Sequence, residues 1–304
     1  MTCCPGAFKE LYLQQGWATT CCPIWYNEYD RVPNYSQSPR DLWMSAVLEN
    51  FRRHVAVNDF SLCGTCPFAK THTPSEIAGY EDGPETMYVG DSFTCNLHCW
   101  SCRDKLILSE PNGDEADRFL RNLIEGYRRN LKKIGFLHTG EVFASKRHIN
   151  LLNTFDWQDI KLELITNATL VENHFKSLSH IHDKIKRVTI SLDASDEATY
   201  SKVRLGGNFQ AAVRGTNIIF NSVPDIDFHY VVSSENVHDV AKFCEWVQQF
   251  NPSLIKLVRV AHTYPRSDWA SRDPWLQGHP KRLALESELE KCKQYPKVIQ
   301  LGFD

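Results

Sequence analysis

The sequence predicts an α/β fold: a parallel sheet closing part way into a barrel of six βα units, preceded by a small cysteine-rich α+β region. Three observations predict it. From Thr86 onward, short β-branched runs alternate with segments of helical periodicity, a pattern that builds parallel sheets. Nine of the eleven cysteines lie before Arg103, so the first third differs in chemistry from the rest. Three of those nine sit in one stretch, Cys95-Asn96-Leu97-His98-Cys99-Trp100-Ser101-Cys102, directly after the apolar run Thr86 to Val89.

At 304 residues the chain can bury a full core. A net charge of −3 gives no basic footprint, so nucleic acid is not indicated as a partner. No apolar stretch approaches membrane-spanning length, and Met1 to Gly6 lacks the features of a secretory signal. The chain is therefore expected to be cytoplasmic, with no membrane partner. In that compartment eleven cysteines point to metal ligands or catalytic groups before a disulfide framework.

In the N-terminal region, residues 1–70, Ala7 to Leu13 shows strand-like alternation, Gly16 is a turn, and Trp17 to Thr20 reads as a returning strand. That hairpin would bring the doublets Cys3-Cys4 and Cys21-Cys22 side by side. After a polar loop, Asp41 to Phe51 has helical spacing with Asp41 as a candidate N-cap, leading to Cys63-Gly64-Thr65-Cys66. Four thiolates drawn from these positions can close a cluster or a zinc site. Residues 71–84 are polar with scattered Gly and Pro and read as a linker.

Residues 85–304 carry the barrel pattern. Strands are expected at Thr86–Asp91, Ile134–Thr139, Lys161–Thr166, Arg187–Asp193, Asp227–Ser233 and Leu254–Ala261. Helices are expected at Asp114–Lys133, Lys146–Asn153, Glu172–Ser179, Phe209–Phe220 and Val237–Phe250. A last amphipathic helix, Arg282 to Gln294, is expected to cover the barrel, followed by a final strand. Cys244 reads as a buried inert thiol, and His180-Ile181-His182 as solvated loop.

In such barrels chemistry sits at the C-terminal ends of the strands, and the Cys95 loop follows the first one. Three cysteines leave one corner of a four-iron cluster open, because such a cluster ordinarily takes four. The other readings are a zinc knuckle completed by His98 and a purely structural cluster.

The C-x3-C-x2-C loop resembles that of the radical SAM superfamily, with Ser101 where an aromatic residue is common and Trp100 one place earlier. The resemblance extends to Gly140-Glu141 at the second strand end, similar to the family's GGE motif with Thr139 for its first glycine. It extends also to Thr166-Asn167-Ala168, similar to Thr-Asn-Gly, and to Ser191, Asp193 and Arg204 around the fourth strand end. It implies a TIM-type partial (β/α)6 barrel whose [4Fe-4S] cluster, on Cys95, Cys99 and Cys102, binds S-adenosylmethionine at its open iron. Reductive cleavage would release methionine and a 5'-deoxyadenosyl radical that abstracts hydrogen from a substrate. By the same resemblance Gly140 and Glu141 would hold the amino group of S-adenosylmethionine and Ser191 and Arg204 its carboxylate, with Asn167 and Asp193 as further candidate cofactor-binding residues. An electron donor such as flavodoxin or ferredoxin is implied.

The spacing of Cys4, Gly16, Cys21, Cys63 and Cys66 looks like the auxiliary-cluster region of enzymes with SPASM or twitch domains, though here it precedes the barrel. It implies one auxiliary [4Fe-4S] cluster on Cys63, Cys66 and one cysteine of each doublet; spacing selects Cys4 and Cys21, with Cys3 and Cys22 as the alternatives. Such enzymes often modify ribosomally made peptides and others act on sugars or small metabolites, so a peptide is the favoured substrate and a small molecule the second choice. The catalytic residues acting on substrate are not legible. The rival class is a non-catalytic iron–sulfur or zinc protein on the same fold, which would have no use for Glu141, Ser191 and Arg204 in that arrangement.

Overall fold

The computed structural model describes residues 4–21, 31–33, 37–63, 66, 79–103, 105–110, 113–137, 139–260 and 267–301. Cys3, Cys22, His138 and most of the expected linker lie outside them. The fold is α/β, with parallel strands alternating with helices as in a partial barrel. Two compact units are distinguishable: residues 1–93, 110–140 and 154–162 in one, and 94–109, 141–153 and 163–304 in the other.

In the first unit the order is α1 (Gly6–Lys9), β1 (Glu10–Gln14), β2 (Trp17–Thr20), β3 (Val32–Pro33), α2 (Pro39–Trp43), α3 (Ala46–Ala56), β4 (Thr86–Gly90), α4 (Gly113–Tyr127) and β5 (Lys133–Phe136). The expected N-terminal hairpin is present, since β1 and β2 pair antiparallel. Its strand starts later than the alternation suggests, because Pro5 opens a helical turn that Phe8 N–H closes on the Pro5 carbonyl. Ala7 and Phe8 are thereby both buried. Strand β1 also pairs parallel with β4, Leu13 opposite Val89, and β4 pairs parallel with β5. The cysteine-rich region thus continues the sheet of the first βα unit.

The helix expected at Asp41–Phe51 is two helices. Ser38 caps α2, its Oγ accepting from Asp41 N–H at 3.1 Å, with Pro39 at the first position. The break after Trp43 is stabilised from a distance: Arg52, buried, donates Nη1 to the Trp43 carbonyl (2.8 Å) and Nε to the Ala7 carbonyl (3.0 Å), and stacks 4.0 Å from the Trp43 ring. A carbonyl with a tertiary donor has no need of the next helical turn. Helix α4 likewise ends at Tyr127, short of the expected Lys133, because Lys132 N–H leaves for the Glu85 carbonyl (2.8 Å).

Strand β6 (Lys161–Thr166) follows α5 (Lys146–Thr154). The second unit then holds α6 (Val171–His174), β7 (Ile185–Ser191), α7 (Glu197–Val203), α8 (Phe209–Phe220), β8 (Asp225–Val232), α9 (Val240–Trp246), β9 (Leu254–Arg259), α10 (Trp269–Arg272), α11 (Arg282–Cys292) and β10 (Val298–Leu301). Strands β7, β8, β9 and β10 are parallel neighbours, with Ser191 opposite His229 and His229 opposite Lys256. Val188, Ile190, Phe228, Tyr230, Ile255 and Leu257 are buried on one face, and Ser191, His229 and Lys256 are half-buried on the other. Parts of the helices expected at Glu172–Ser179 and Val237–Phe250 are tight 3-10 turns. Helix α11 covers α9 as its pattern predicts: Glu288 accepts from Ala241 N–H at 3.0 Å, and the buried Cys292 and Cys244 sulfurs touch at 3.5 Å.

One close approach decides the position of a strand end. A Cβ on Gly215, in α8, would stand 2.1 Å from the Ala168 carbonyl oxygen. Gly215→Ala gains about 0.5–1 kcal/mol of helix propensity, but the clash with a rigid backbone atom costs about 1–3 kcal/mol or more. The variant is predicted to unfold at lower urea concentration than the parent, and unchanged stability would show that α8 does not abut this turn.

Candidate active site

The Cys95–Cys102 loop belongs to the second unit and has no regular structure of its own. Neighbouring segments therefore hold it. Cys95 N–H donates to the Ile107 carbonyl (2.8 Å), His98 N–H to Leu205 (3.2 Å) and Trp100 N–H to Val203 (2.8 Å). Arg272, buried, donates Nη1 to the Trp100 carbonyl (2.5 Å) while its guanidinium lies 3.5 Å from the Trp100 ring centre. Trp100 is thus the residue that seats the loop, which gives a physical role to the aromatic one place early.

Asn96 joins the loop to the end of β6. Its Oδ1 accepts from Asn167 Nδ2 (3.0 Å) and its Nδ2 donates to Thr169 Oγ1 (2.9 Å). The turn beyond β6 is strained: Ala168, fully buried, has φ +63°, a left-handed conformation that costs a non-glycine residue about 1–2 kcal/mol. A glycine would adopt it freely. Here Ala168 N–H is held by Thr166 Oγ1 at 3.0 Å.

Glu141 is buried beside that turn. Its carboxylate accepts from Thr166 Oγ1 (2.7 Å), Asn167 N–H (2.6 Å) and Phe143 N–H (3.2 Å). Among the described residues no cationic side chain stands within ion-pair distance of it, and burial raises its pKa above the usual carboxylate range. A carboxylate has about four acceptor sites, so the protein orients the group and leaves capacity for one more donor. Gly140 lies in the exposed bend leading to it.

At the next strand end, Asp193 is buried at φ +59°, with Oδ1 accepting from Val231 N–H (2.8 Å) and Oδ2 from Arg204 Nη2 (2.8 Å). Arg204 is buried too, and its Nη1 points to Cys99 Sγ at 3.7 Å. Among the described residues its Nε is buried with no hydrogen-bond partner, as are Trp100 Nε1 and Tyr200 Oη. Ser191, at the end of β7, makes no side-chain hydrogen bond among the described residues. Glu141, Asn167, Asp193 and Arg204 are thus drawn together around the cysteine loop. Both Asp193 oxygens are engaged by the protein, one of them by Arg204.

None of the three loop cysteines is in a disulfide. Burial pushes the Cys95 thiol up to about 12, with Glu141 adding to the effect, and Cys99 up to about 11 against the pull of Arg204. Thiols this weakly acidic ionise when a metal binds them. The set fits a cluster with an open corner: three sulfurs on one loop, an unpaired buried carboxylate, and orphaned donors on Arg204 and Trp100. His98 turns toward Gly206, where an added Cβ would lie 3.7 Å from its Nδ1.

In the first unit, Cys4, Cys21, Cys63 and Cys66 pack against one apolar cluster of Ala7, Phe8, Phe51 and Val55. Burial and the neighbouring Cys4 and Cys66 thiols push Cys63 up to about 11. Among the described residues no three His, Cys, Asp or Glu side chains are grouped closely enough to hold a single metal ion. In a four-iron cluster each thiolate binds a different iron.

Asn96, Thr166, Thr169 and Arg272 escaped the sequence reading. The first three had a local signal, being polar residues inside or beside a recognised motif. Arg272 had none, since it meets Trp100 from 172 positions away.

An α/β chain of this kind, with a three-cysteine loop following a strand and a carboxylate at the next strand end, has the layout of an iron–sulfur enzyme. The family model "Radical SAM superfamily" matches residues 91–247, just over half of the sequence, and the chain belongs to that superfamily. It is 27% identical over 181 residues to GTP 3',8-cyclase of Erythrobacter litoralis, 54% of this chain and 51% of that protein. A probable GTP 3',8-cyclase of Methanococcus maripaludis is 28% identical over 127 residues, 40% of each. The chain therefore spans about half, or less, of these curated relatives. Among solved structures, Streptococcus suis SuiB bound to precursor peptide SuiA superposes with a TM-score of 0.50 at 13% identity, covering 96% of this chain and 70% of that one. SuiB bound to S-adenosylmethionine gives 0.50 at 16%, covering 84% and 52%. At such identities the likeness is one of fold.

Replacing Arg272 by Met keeps the bulk of the side chain and removes both its charge and its donor to the Trp100 carbonyl. A buried charged hydrogen bond and a cation–π contact together are worth about 2–4 kcal/mol. Arg272→Met is predicted to lower stability by that order and to expose the loop to limited proteolysis. Parent-like digestion would show that Arg272 does not seat it.

Proposed function

We propose that the chain cleaves S-adenosylmethionine reductively at a [4Fe-4S] cluster on Cys95, Cys99 and Cys102 and acts on a peptide, with a second cluster on Cys4, Cys21, Cys63 and Cys66. When bound, the open-cornered cluster supplies the electron that splits S-adenosylmethionine to a 5'-deoxyadenosyl radical. The chain's residues bind, orient and exclude. The observation that carries the reading is Glu141: a buried carboxylate, oriented by three donors and with no cation at ion-pair distance among the described residues, beside three cysteines. An ammonium group would supply the missing charge and take the remaining acceptor site. Arg204 Nε, without a hydrogen-bond partner among the described residues, and the Ser191 hydroxyl offer donors suited to a carboxylate. Leu97, Val142 and Phe143 are buried around these groups and keep water from them.

For the substrate, charge favours a peptide. A nucleoside triphosphate, the kind of substrate named for the cyclase relatives, needs cations to spare. Three of the four Lys and Arg side chains on β7 to β9 are already paired, Lys256 with Asp227 (2.8 Å), Arg187 with Asp225 (3.7 Å) and Arg259 with Asp273 (2.7 Å), and the fourth, Lys186, is exposed at the second position of β7. The fold likeness to SuiB bound to a precursor peptide, which covers 96% of this chain, is in keeping with this. For the second cluster, the support is four thiols around one apolar patch.

Anaerobically reconstituted and reduced protein is predicted to release 5'-deoxyadenosine from S-adenosylmethionine without substrate, and Cys95→Ala to release none. Cys63→Ala is predicted to keep that cleavage and lose turnover of a peptide substrate. Equal loss of both would make the N-terminal cysteines structural. Glu141→Gln removes the charge with little change of shape. It is predicted to weaken S-adenosylmethionine binding about tenfold or more, the loss of one charged hydrogen bond, with iron content unchanged. Parent affinity in the variant would remove Glu141 from the site.

A further inference from the structure

We propose that Arg204 sets the reduction potential of the centre on Cys95, Cys99 and Cys102, by donating its Nη1 hydrogen to the Cys99 sulfur, and that Asp193 exists to hold it there. The inference rests on the cluster reading above and goes beyond it, since the sequence resemblance places Arg204 on the S-adenosylmethionine carboxylate.

The geometry points to the sulfur. Arg204 has two of its three nitrogens committed, Nη2 to Asp193 at 2.8 Å and Nη1 toward Cys99 Sγ at 3.7 Å. Its backbone is fixed as well, closing α7 through Arg204 N–H to the Tyr200 carbonyl (2.8 Å) and receiving Gly207 N–H at 2.9 Å. Asp193 is locked in turn: it accepts Val231 N–H at Oδ1, and its own carbonyl accepts from Asn236 Nδ2 at 2.9 Å. A left-handed backbone at a buried aspartate is a strained state that surroundings must impose. Here they impose it on the residue that aims the guanidinium.

Reduction adds one electron, taken from an external low-potential donor, and no proton need move. The added negative charge is stabilised by a fixed cation and by a hydrogen bond to a ligand sulfur, both of which favour the reduced state. Arg204 is buried and Cys99 half-buried, so solvent screens the effect less than it would at the surface. An arginine fork can reach the carboxylate and the sulfur together, whereas a lysine ammonium is one point of charge.

The test is a redox titration of the reconstituted holoprotein with dithionite, without S-adenosylmethionine, followed by electron paramagnetic resonance of the reduced cluster. Arg204→Lys keeps a counter-charge for Asp193. The double variant Asp193→Asn with Arg204→Gln removes both charges together, so neither leaves a buried charge alone. In both, the reduced-to-oxidised ratio at fixed potential is predicted to fall about tenfold, 59 mV for a one-electron couple. Parent potentials in both variants would overturn the proposal, and a loss of S-adenosylmethionine affinity alone would return Arg204 to that ligand. Failure of both variants to hold a cluster that the parent holds would also overturn it, making Arg204 an assembly residue. A parent with no reducible signal sensitive to Cys99→Ala would instead remove the cluster reading itself.

Discussion

The active site depends on one constraint: a loop that presents three thiols has no backbone ladder of its own and must be held from outside. Ile107, Val203 and Leu205 take its amide hydrogens, Asn167 and Thr169 hold Asn96, and Arg272 clasps Trp100. Its position is thus set by the ends of β6 and α7 and by α10. Buried polar groups without partners are costly, so each of these bonds both seats the loop and satisfies a group that would otherwise destabilise the fold.

Strain follows from the same constraint. Ala168 and Asp193 both have left-handed backbones, both are buried, and each follows a strand that ends beside the cysteines. Each turns the chain so that a neighbouring polar group meets the loop: Asn167 through Asn96, and Arg204 through Cys99. Gly215 lets α8 press against the Ala168 carbonyl and fixes the first turn. The site's precision rests on these contacts more than on any side chain that would touch S-adenosylmethionine.

Much of this was legible in the sequence. The alternation after Thr86 announces the βα units because a half-buried strand and an amphipathic helix have different periods, and the spacing of Cys95, Cys99 and Cys102 carries its chemistry locally. Glu141 and Asn167 stand out in the sequence because each follows a predictable strand, and Arg204 because it lies eleven residues beyond Asp193, before the turn Gly206-Gly207. What escaped was imposed by tertiary contact. The break after Trp43 rests on Arg52, the early end of α4 on the Glu85 carbonyl, and the loop's clasp on Arg272. Asp193 was expected among ligand-binding groups, and its contacts to Val231 N–H and Arg204 are tertiary ones that the sequence does not announce. The pairing of β1 with β4 was equally hidden, since hydrophobic pattern marks a strand but not its neighbour.

The central claim is that the Cys95 loop holds its own cluster with a corner open to S-adenosylmethionine. The most direct measurement is iron and acid-labile sulfide per chain in anaerobically reconstituted protein, beside a Cys95/Cys99/Cys102→Ala triple variant, with the paramagnetic resonance spectrum recorded before and after adding S-adenosylmethionine. The account predicts about eight irons in the parent, about four in the variant, and a spectral change that the variant lacks. An iron content unaltered by the triple substitution, or a spectrum indifferent to S-adenosylmethionine, would contradict it.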